Sequence, residues 1–286
     1  MIDQTGKLYV VATPIGNLDD LSFRANTILK QVDWIAAEDT RQSKKLLDHY
    51  HIQKKLISLH NFNEKSRITQ LIESLKAGQN GALISDAGTP CISDPGAHLI
   101  QALHEDKISV VPIPGACALI SALSVAGFST TEFLFLGFLP AKSVARKQQL
   151  ETIKNLPYTI VFYEAPHRIS EMLYDCKKIL GEERRVVVAR ELTKKYETLY
   201  VSTLKNLSED ADSAAVEIRG EFVVIIEGVP KETLQDHQQN DQKANKILTM
   251  LLAEMSVKSA VNIAAEITDC PKNKLYDLAI AIQNQS

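Results

Sequence analysis

The residues best suited to chemistry sit in polar clusters, each placed directly after an apolar run. Ser85 to Gly96 reads SDAGTPCISDPG, a loop in which Gly88 and Gly96 allow positive φ and close backbone approach while Pro90 and Pro95 stiffen the chain. Glu38, Asp39 and Arg41 set two carboxylates beside a guanidinium, a combination able to take a proton and to hold a phosphate. Glu191 and Lys194 form a second acid–base set, and His60, Asn63 and Glu64 a third polar group at a strand end. His167 and Arg168 open a helix, where phosphate contact is favourable. Each cluster has a competing structural reading. Glu38 to Arg41 equally describes a capping cluster with an internal ion pair, Glu191 and Lys194 surface charge, and His167 a helix cap. The Ser85–Gly96 stretch equally describes an ordinary connection in which Asp94 caps the next helix with Pro95 at its first position. Its length favours a binding loop.

The elements that must position these clusters alternate. Strands are expected at Leu8–Ala12, Val32–Ala37, Leu56–Leu59, Ala82–Ser85 and Ile108–Val111, with helices over Leu21–Leu29, up to Lys76, and from Ala97 to His104. Pro112 to Gly127 begins with turn chemistry and becomes a helix of small and apolar residues. Strand–helix alternation implies a parallel sheet covered on both faces, and loops at the carboxyl ends of its strands gather along one edge. From about residue 128 strands are denser, at Phe133–Phe138, Tyr158–Tyr163, Arg185–Ala189, Leu199–Val201 and Phe222–Ile226, which predicts a mixed sheet in a second domain. The polar stretch 231–243 reads as a linker. Beyond it, apolar residues at helical spacing predict three short helices broken at Thr268-Asp269-Cys270-Pro271, a helix-turn-helix-like unit or a packing appendage. Only Lys272 and Lys274 line its last helix, which speaks against sequence-specific DNA reading. The expected division is therefore 1–127, 128–230, 231–243 and 244–286.

Composition narrows the function classes. The 286 residues are 45% hydrophobic and 23% charged, as in a soluble globular protein. No apolar run approaches the ~20 residues that span a bilayer, and MIDQTGKLYV carries no signal-peptide pattern, so a cytoplasmic protein with no membrane partner is expected. Cys91, Cys117, Cys176 and Cys270 are scattered and read as reduced thiols; no metal site is expected. A net charge of −3 argues against a general nucleic-acid coat. Basic pairs such as Arg146-Lys147, Arg184-Arg185 and Lys194-Lys195 read singly as solvated faces. No G-x-G-x-x-G, P-loop, H-E-x-x-H, C-x-x-C or G-x-S-x-G pattern occurs, which removes the Rossmann, nucleotide-triphosphate, common zinc and serine-hydrolase readings. Residue chemistry alone thus gives an α/β protein with a polar, loop-built cleft, and no reaction.

TPIGNLDD (13–20), AEDTR (37–41), SDAGTPCISDPG, PIPGACA (112–118), FYEAPHRI (162–169), ARELTK (189–194) and GEFV (220–223) occur in this order. Together they resemble the ribosomal small-subunit methyltransferase I family, of the tetrapyrrole-methylase-like (class III) fold. The resemblance runs from about Leu8 to Val229, and the last helices resemble the family's extra module. It implies two α/β domains plus a small helical module, S-adenosyl-L-methionine (AdoMet) in the cleft, and a homodimer. The implied reaction is 2′-O-methylation of a decoding-centre (P-site) cytidine in 16S rRNA, with an assembled small ribosomal subunit as the expected partner. Carried over by position, the cofactor would contact Pro14, the loop Ser85, Asp86, Ala87, Gly88, Thr89 and Pro90, then Pro114, Gly115, Ala116 and Ser121. From the second domain, Tyr163, Glu164 and Ala165 would join them.

The same resemblance tips Glu38, Asp39 and Arg41, and then Glu191 and Lys194, toward catalytic roles, and makes RNA the partner that His60, Asn63, Glu64, His167 and Arg168 would touch. Tetrapyrrole methylases tend to carry Gly-Asp-Pro in the fourth-strand loop where this chain has Gly88-Thr89-Pro90, which points to the ribosomal branch. A tetrapyrrole methyltransferase and a non-catalytic RNA-binding assembly protein remain the alternatives.

Overall fold

The computed structural model describes residues 5–213, 217–268 and 270–283. Among the described residues, ten strands form two five-stranded sheets. The first runs β3 (Lys55–Ser58), β2 (Trp34–Ala37), β4 (Gly81–Ile84), β1 (Leu8–Val11), β5 (Val110–Ile113), every pairing parallel. β2 and β4 are buried along their whole length, the signature of strands covered on both faces. One face packs Leu29, Ile35 and Leu47; the other packs Trp34, Leu71 and Leu99.

The helices of this half are α1 (Phe23–Gln31), α2 (Thr40–His49), α3 (Glu64–Lys76) and α4 (Ala97–Glu105). α2 was not expected. It buries only Ser43 and Leu47, too thin a stripe to read as a helix, although Asp39 capping the Arg41 amide marks its start. α5 (Ala118–Val125) follows β5, but Leu119, Ala122 and Leu123 pack against Val161, Val187 and Val223 of the second sheet. Packing therefore assigns this helix to the half that follows it.

The second sheet runs β6 (Phe133–Phe138), β7 (Thr159–Glu164), β10 (Phe222–Ile226), β8 (Arg185–Arg190), β9 (Thr198–Thr203). It is mixed as expected: β6 lies parallel to β7 and the other pairs are antiparallel. Phe222 pairs with Glu164 on one side and Arg190 on the other, so the ends of β7 and β8 and the start of β10 share one edge. α6 (Ser143–Ile153), α7 (Ile169–Leu180) and α8 (Leu204–Asp212), the last unanticipated, complete this half.

Arg146 corrects a sequence expectation. Instead of a solvated face, its fully buried guanidinium meets Asp175 at 2.6 Å and Glu171 at 2.9 Å.

The chain divides into two compact units, 1–152 with 159–227, and 153–158 with 228–286. The second unit contains α9 (Lys231–Leu252), α10 (Val257–Thr268) and α11 (Lys272–Gln283) around Leu248, Val261 and Leu275. The expected linker over 231–243 is helical, the first half of α9; polar composition hid it because its first turns carry little apolar periodicity. The expected break between the last two helices is present, with Asp269 outside the described residues.

Candidate active site

β4, β1 and β5 are adjacent, so the loops leaving their carboxyl ends meet. Thr13 and Gly88 exchange backbone hydrogen bonds of 2.8 and 3.0 Å, and the Thr89 hydroxyl donates to the Ala116 carbonyl at 3.2 Å. A Cβ on Gly115 would lie 2.9 Å from that of Ala12, and one on Gly88 (φ +78°) would lie 3.3 Å from Ile15 Cγ2. These glycines are what let the three loops converge. From the other sheet, Gly137 (φ +61°) sits where the register of β6 shifts, and a Cβ there would stand 3.2 Å from Ser93 Oγ.

A cavity of about 320 Å³ lies where these loops meet the edge of the second sheet. Of the expected cofactor residues, Ala87, Gly88, Thr89, Tyr163, Glu164 and Ala165 line it. Pro14, Ser85, Asp86, Pro90, Pro114, Gly115, Ala116 and Ser121 are not in its wall. Several instead build it. The buried Ser85 hydroxyl lies within hydrogen-bond reach of the Ala87 and Gly88 carbonyls, at 3.2 and 3.3 Å, and that of Ser121 donates to the Cys117 carbonyl. The Asp86 carboxylate accepts from the Asp39 amide at 3.0 Å, tying the β2 loop to the β4 loop. Asp94, Cys117, Phe138, Leu192 and Glu221 line the cavity without having been expected to. Glu221 lay inside the GEFV motif, whereas Phe138 depends on the bulge of β6, whose one sequence signal is Gly137 inside an apolar strand run.

The ionisable side chains in the wall are acidic or neutral: Asp94, Glu164, Glu221, Tyr163 and Cys117. Glu164 is buried, with Oε1 accepting from the Ala165 amide at 2.8 Å and facing Arg168 Nε at 3.2 Å, while Oε2 has no hydrogen-bond partner among the described residues. Burial raises its pKa against the opposing pull of the Ala165 amide and Arg168. Tyr163 stacks edge-on against Phe135 and Phe138, accepts from the Leu119 amide at 3.3 Å, and is pushed by burial up to about 12. It stays a neutral phenol at physiological pH.

Asp94 does not cap α4. Gly96 is the N-cap, without a side-chain bond, and Glu64 reaches across from α3 to accept from the Leu99 amide at 3.0 Å. Glu64 is thereby buried, which corrects its expected place at an RNA surface. Asp94 instead faces the cavity, its pKa raised to about 6 by burial and by Glu38, against a hydrogen bond with Ser85.

The remaining expected residues separate by how they are engaged. Asp39 caps α2 and chelates Arg41 (2.8 and 3.1 Å), which holds its carboxyl down at about 2. Arg41 is 88% exposed, available to a polyanion. Glu38 is half-buried, its pKa raised by burial and Asp86 and lowered by nearby His60. Asn63 bonds the His60 amide and the Ser58 carbonyl, shaping the β3 loop. Beside it, Phe62 is 98% exposed. Glu191 and Lys194 pair at 2.9 Å, and Lys194 also meets Glu221 at 3.1 Å. Arg168 donates to the Leu139 carbonyl and pairs with Glu164, leaving exposed His167 as the outward group of its turn.

Comparison with known proteins agrees with this architecture. The family model for Tetrapyrrole (Corrin/Porphyrin) Methylases matches residues 7–208, and that for the RsmI C-terminal HTH domain matches 238–283. Among solved structures, the methyltransferase CobJ superposes with a TM-score of 0.58 at 18% identity, covering 79% of this chain and 95% of that one. Uroporphyrin-III C-methyl transferase from Thermus thermophilus, complexed with S-adenyl homocysteine, does so with a TM-score of 0.55 at 15% identity, covering 78% and 97%. Ribosomal RNA small subunit methyltransferase I of Haemophilus influenzae is 50% identical over 98% of this chain and 99% of that protein. The Pseudomonas aeruginosa protein of the same name is 46% identical over the same shares. The chain belongs to the ribosomal RNA small subunit methyltransferase I family, built on the tetrapyrrole (corrin/porphyrin) methylase fold.

Proposed function

We propose that the protein transfers the methyl group of AdoMet to the ribose 2′-hydroxyl of a decoding-centre (P-site) cytidine in 16S rRNA, acting on the small ribosomal subunit in the cytoplasm as a homodimer. Near-full-length relatedness to proteins named ribosomal RNA small subunit methyltransferase I carries the substrate assignment. Gly88-Thr89-Pro90 and the RsmI-type C-terminal segment favour it over a tetrapyrrole substrate.

The cavity fits the donor. AdoMet is cationic at sulfur, and the charged groups of the wall are carboxylates. Glu164 Oε2, buried and unpartnered, needs a donor that a bound ligand would supply. Gly88, lacking Cβ, lets a ligand reach the main chain of the β4 loop.

When bound, AdoMet supplies an electrophilic methyl on a good leaving group. The chain's part is to hold the reacting centres in line, worth about 7–11 kcal/mol. A positioned base adds about 10²–10⁴-fold, roughly 3–5 kcal/mol. Alignment dominates, which suits a site made mainly of fixed loops. Arg41, His60 and His167 at the rim would meet phosphates and the 2′-hydroxyl of a substrate read by shape. Glu38 is the carboxylate of the β2 loop without an ion pair among the described residues, whereas Asp39, Glu191 and Lys194 are engaged in ion pairs.

Mass spectrometry of 16S rRNA from cells lacking the protein tests the assignment. Loss of one cytidine ribose methylation is expected; an unchanged pattern overturns it.

A further inference from the structure

We propose that Asp94 is a catalytic residue, the carboxylate that receives the ribose hydroxyl proton, and that Glu38 acts through it as a positioning residue. This rests on the methyl-transfer reading above.

Three features of the structure single out Asp94. It lines the cavity, whereas Glu38 does not. It has been released from capping, since Glu64 performs that task for α4 from another helix. It is also presented by strained backbone: Cys91 (φ 69°) and Ser93 (φ 68°) are non-glycine residues in left-handed conformation, an arrangement that persists where the surrounding fold enforces it.

The groups facing Asp94 are Glu38 from the end of β2, Ser85 and Asp86 from the end of β4, Cys91 from its own loop, and Tyr163 from β7. No cation is among them. An acid so surrounded binds a proton more readily than an exposed carboxylate and stays ionised at neutral pH, the condition a general base requires. In the step, the 2′-oxygen forms its bond to the methyl carbon as the carbon–sulfur bond breaks and sulfur keeps the electron pair. The hydroxyl proton passes to Asp94 and from there to solvent.

The test measures single-turnover methylation of small subunits carrying unmethylated 16S rRNA, across pH, with full-length protein. Wild-type turnover should rise through about pH 6. Asp94→Asn should lose about 100-fold or more in turnover and lose that rise, a loss well beyond whatever weakening of AdoMet binding calorimetry records for removal of one wall carboxylate. The folded state holds this proton more tightly than the unfolded chain does, so Asp94 ionisation costs stability as pH climbs past its native pKa. Asp94→Asn should therefore melt no lower than wild type in the neutral range. Asp94→Glu should restore part of the turnover together with the pH dependence. Glu38→Gln should slow turnover and shift the rise to lower pH, because it removes a negative neighbour. Asp94→Asn turning over like wild type, or a pH rise lost in Glu38→Gln and kept in Asp94→Asn, would overturn the assignment alone. Wild-type protein that methylates no rRNA would overturn the underlying reading with it.

Discussion

Two loops at the rim share an unusual backbone and differ in what they do with their charges. The β4 loop (85–96) and the loop after β8 (191–197) each hold two non-glycine residues in left-handed backbone, Cys91 and Ser93 in one, Glu191 and Thr193 in the other. In the β8 loop Glu191, Lys194 and Glu197 are each engaged, and Lys195 lies over the Tyr196 ring. Lys194 meets Glu191 and Glu221, Glu191 accepts the Glu221 amide at 2.9 Å, and Glu197 accepts the Thr193 amide. The Thr193 hydroxyl accepts from the Asn17 amide at 3.2 Å, and Gly16 lies where a Cβ would strike Lys194 Cγ at 2.3 Å. That loop pins the edges of the two sheets together. The β4 loop leaves Asp94 among other acids with no cation acting on it. Strained backbone marks both; pairing of charge separates the clamp from the part of the wall able to take a proton.

The contrast can be broken at several points. Gly88→Val should weaken AdoMet binding by more than about 100-fold, roughly 3 kcal/mol, because a side chain at φ +78° is strained and meets Ile15. Retained affinity in calorimetry would move the donor away from this loop. Gly220→Val, at φ +91° with a Cβ 2.4 Å from Glu191 Cδ, should cost about 1–3 kcal/mol of stability by denaturant melts. Its donor affinity should fall much less than that of Gly88→Val, and an equal fall would erase the distinction between clamp and wall.

Glu164→Gln should weaken AdoMet by about tenfold, ~1.4 kcal/mol, as a buried acceptor is replaced by a neutral amide. An isotherm matching wild type would mean that Oε2 faces no ligand. Glu191→Gln should cost at most about 1 kcal/mol, since the pair is partly solvated. Its sign follows from the shift: burial raises the Glu191 pKa, but Lys194 and the Glu221 amide bring it below the ordinary value. The stability it contributes is therefore present above its unfolded pKa and lost as pH falls through the lower folded value. Wild type and Glu191→Gln should converge in acid; a difference that persists there would remove the ion pair as its cause.

Much of this was legible in the residues. The ten strands and the parallel-then-mixed order follow from short β-branched runs and their punctuation, because a strand buried on both faces must be apolar throughout. The glycine- and proline-rich strand-end loops marked the cavity's main-chain wall, since few other residues permit such approach. Helix α2 escaped because it buries too narrow a stripe, α8 because its buried face, Leu204, Leu207, Ser208 and Ala211, has only two large apolar side chains to betray it, and 231–243 because a helix of polar residues has no periodicity to display.

Residue order dictates what is local: which runs are strands, where chain direction must reverse, and which loops are built for a ligand to touch. Pairing belongs to the tertiary structure alone. Glu64 became a cap for a helix 35 residues away, Arg146 the centre of a buried ion cluster, and Asp94 an acid facing a cavity instead of a helix end. An ionisable side chain takes its role from the charges and solvent around it, and those neighbours come from distant segments that only folding brings within a few ångströms.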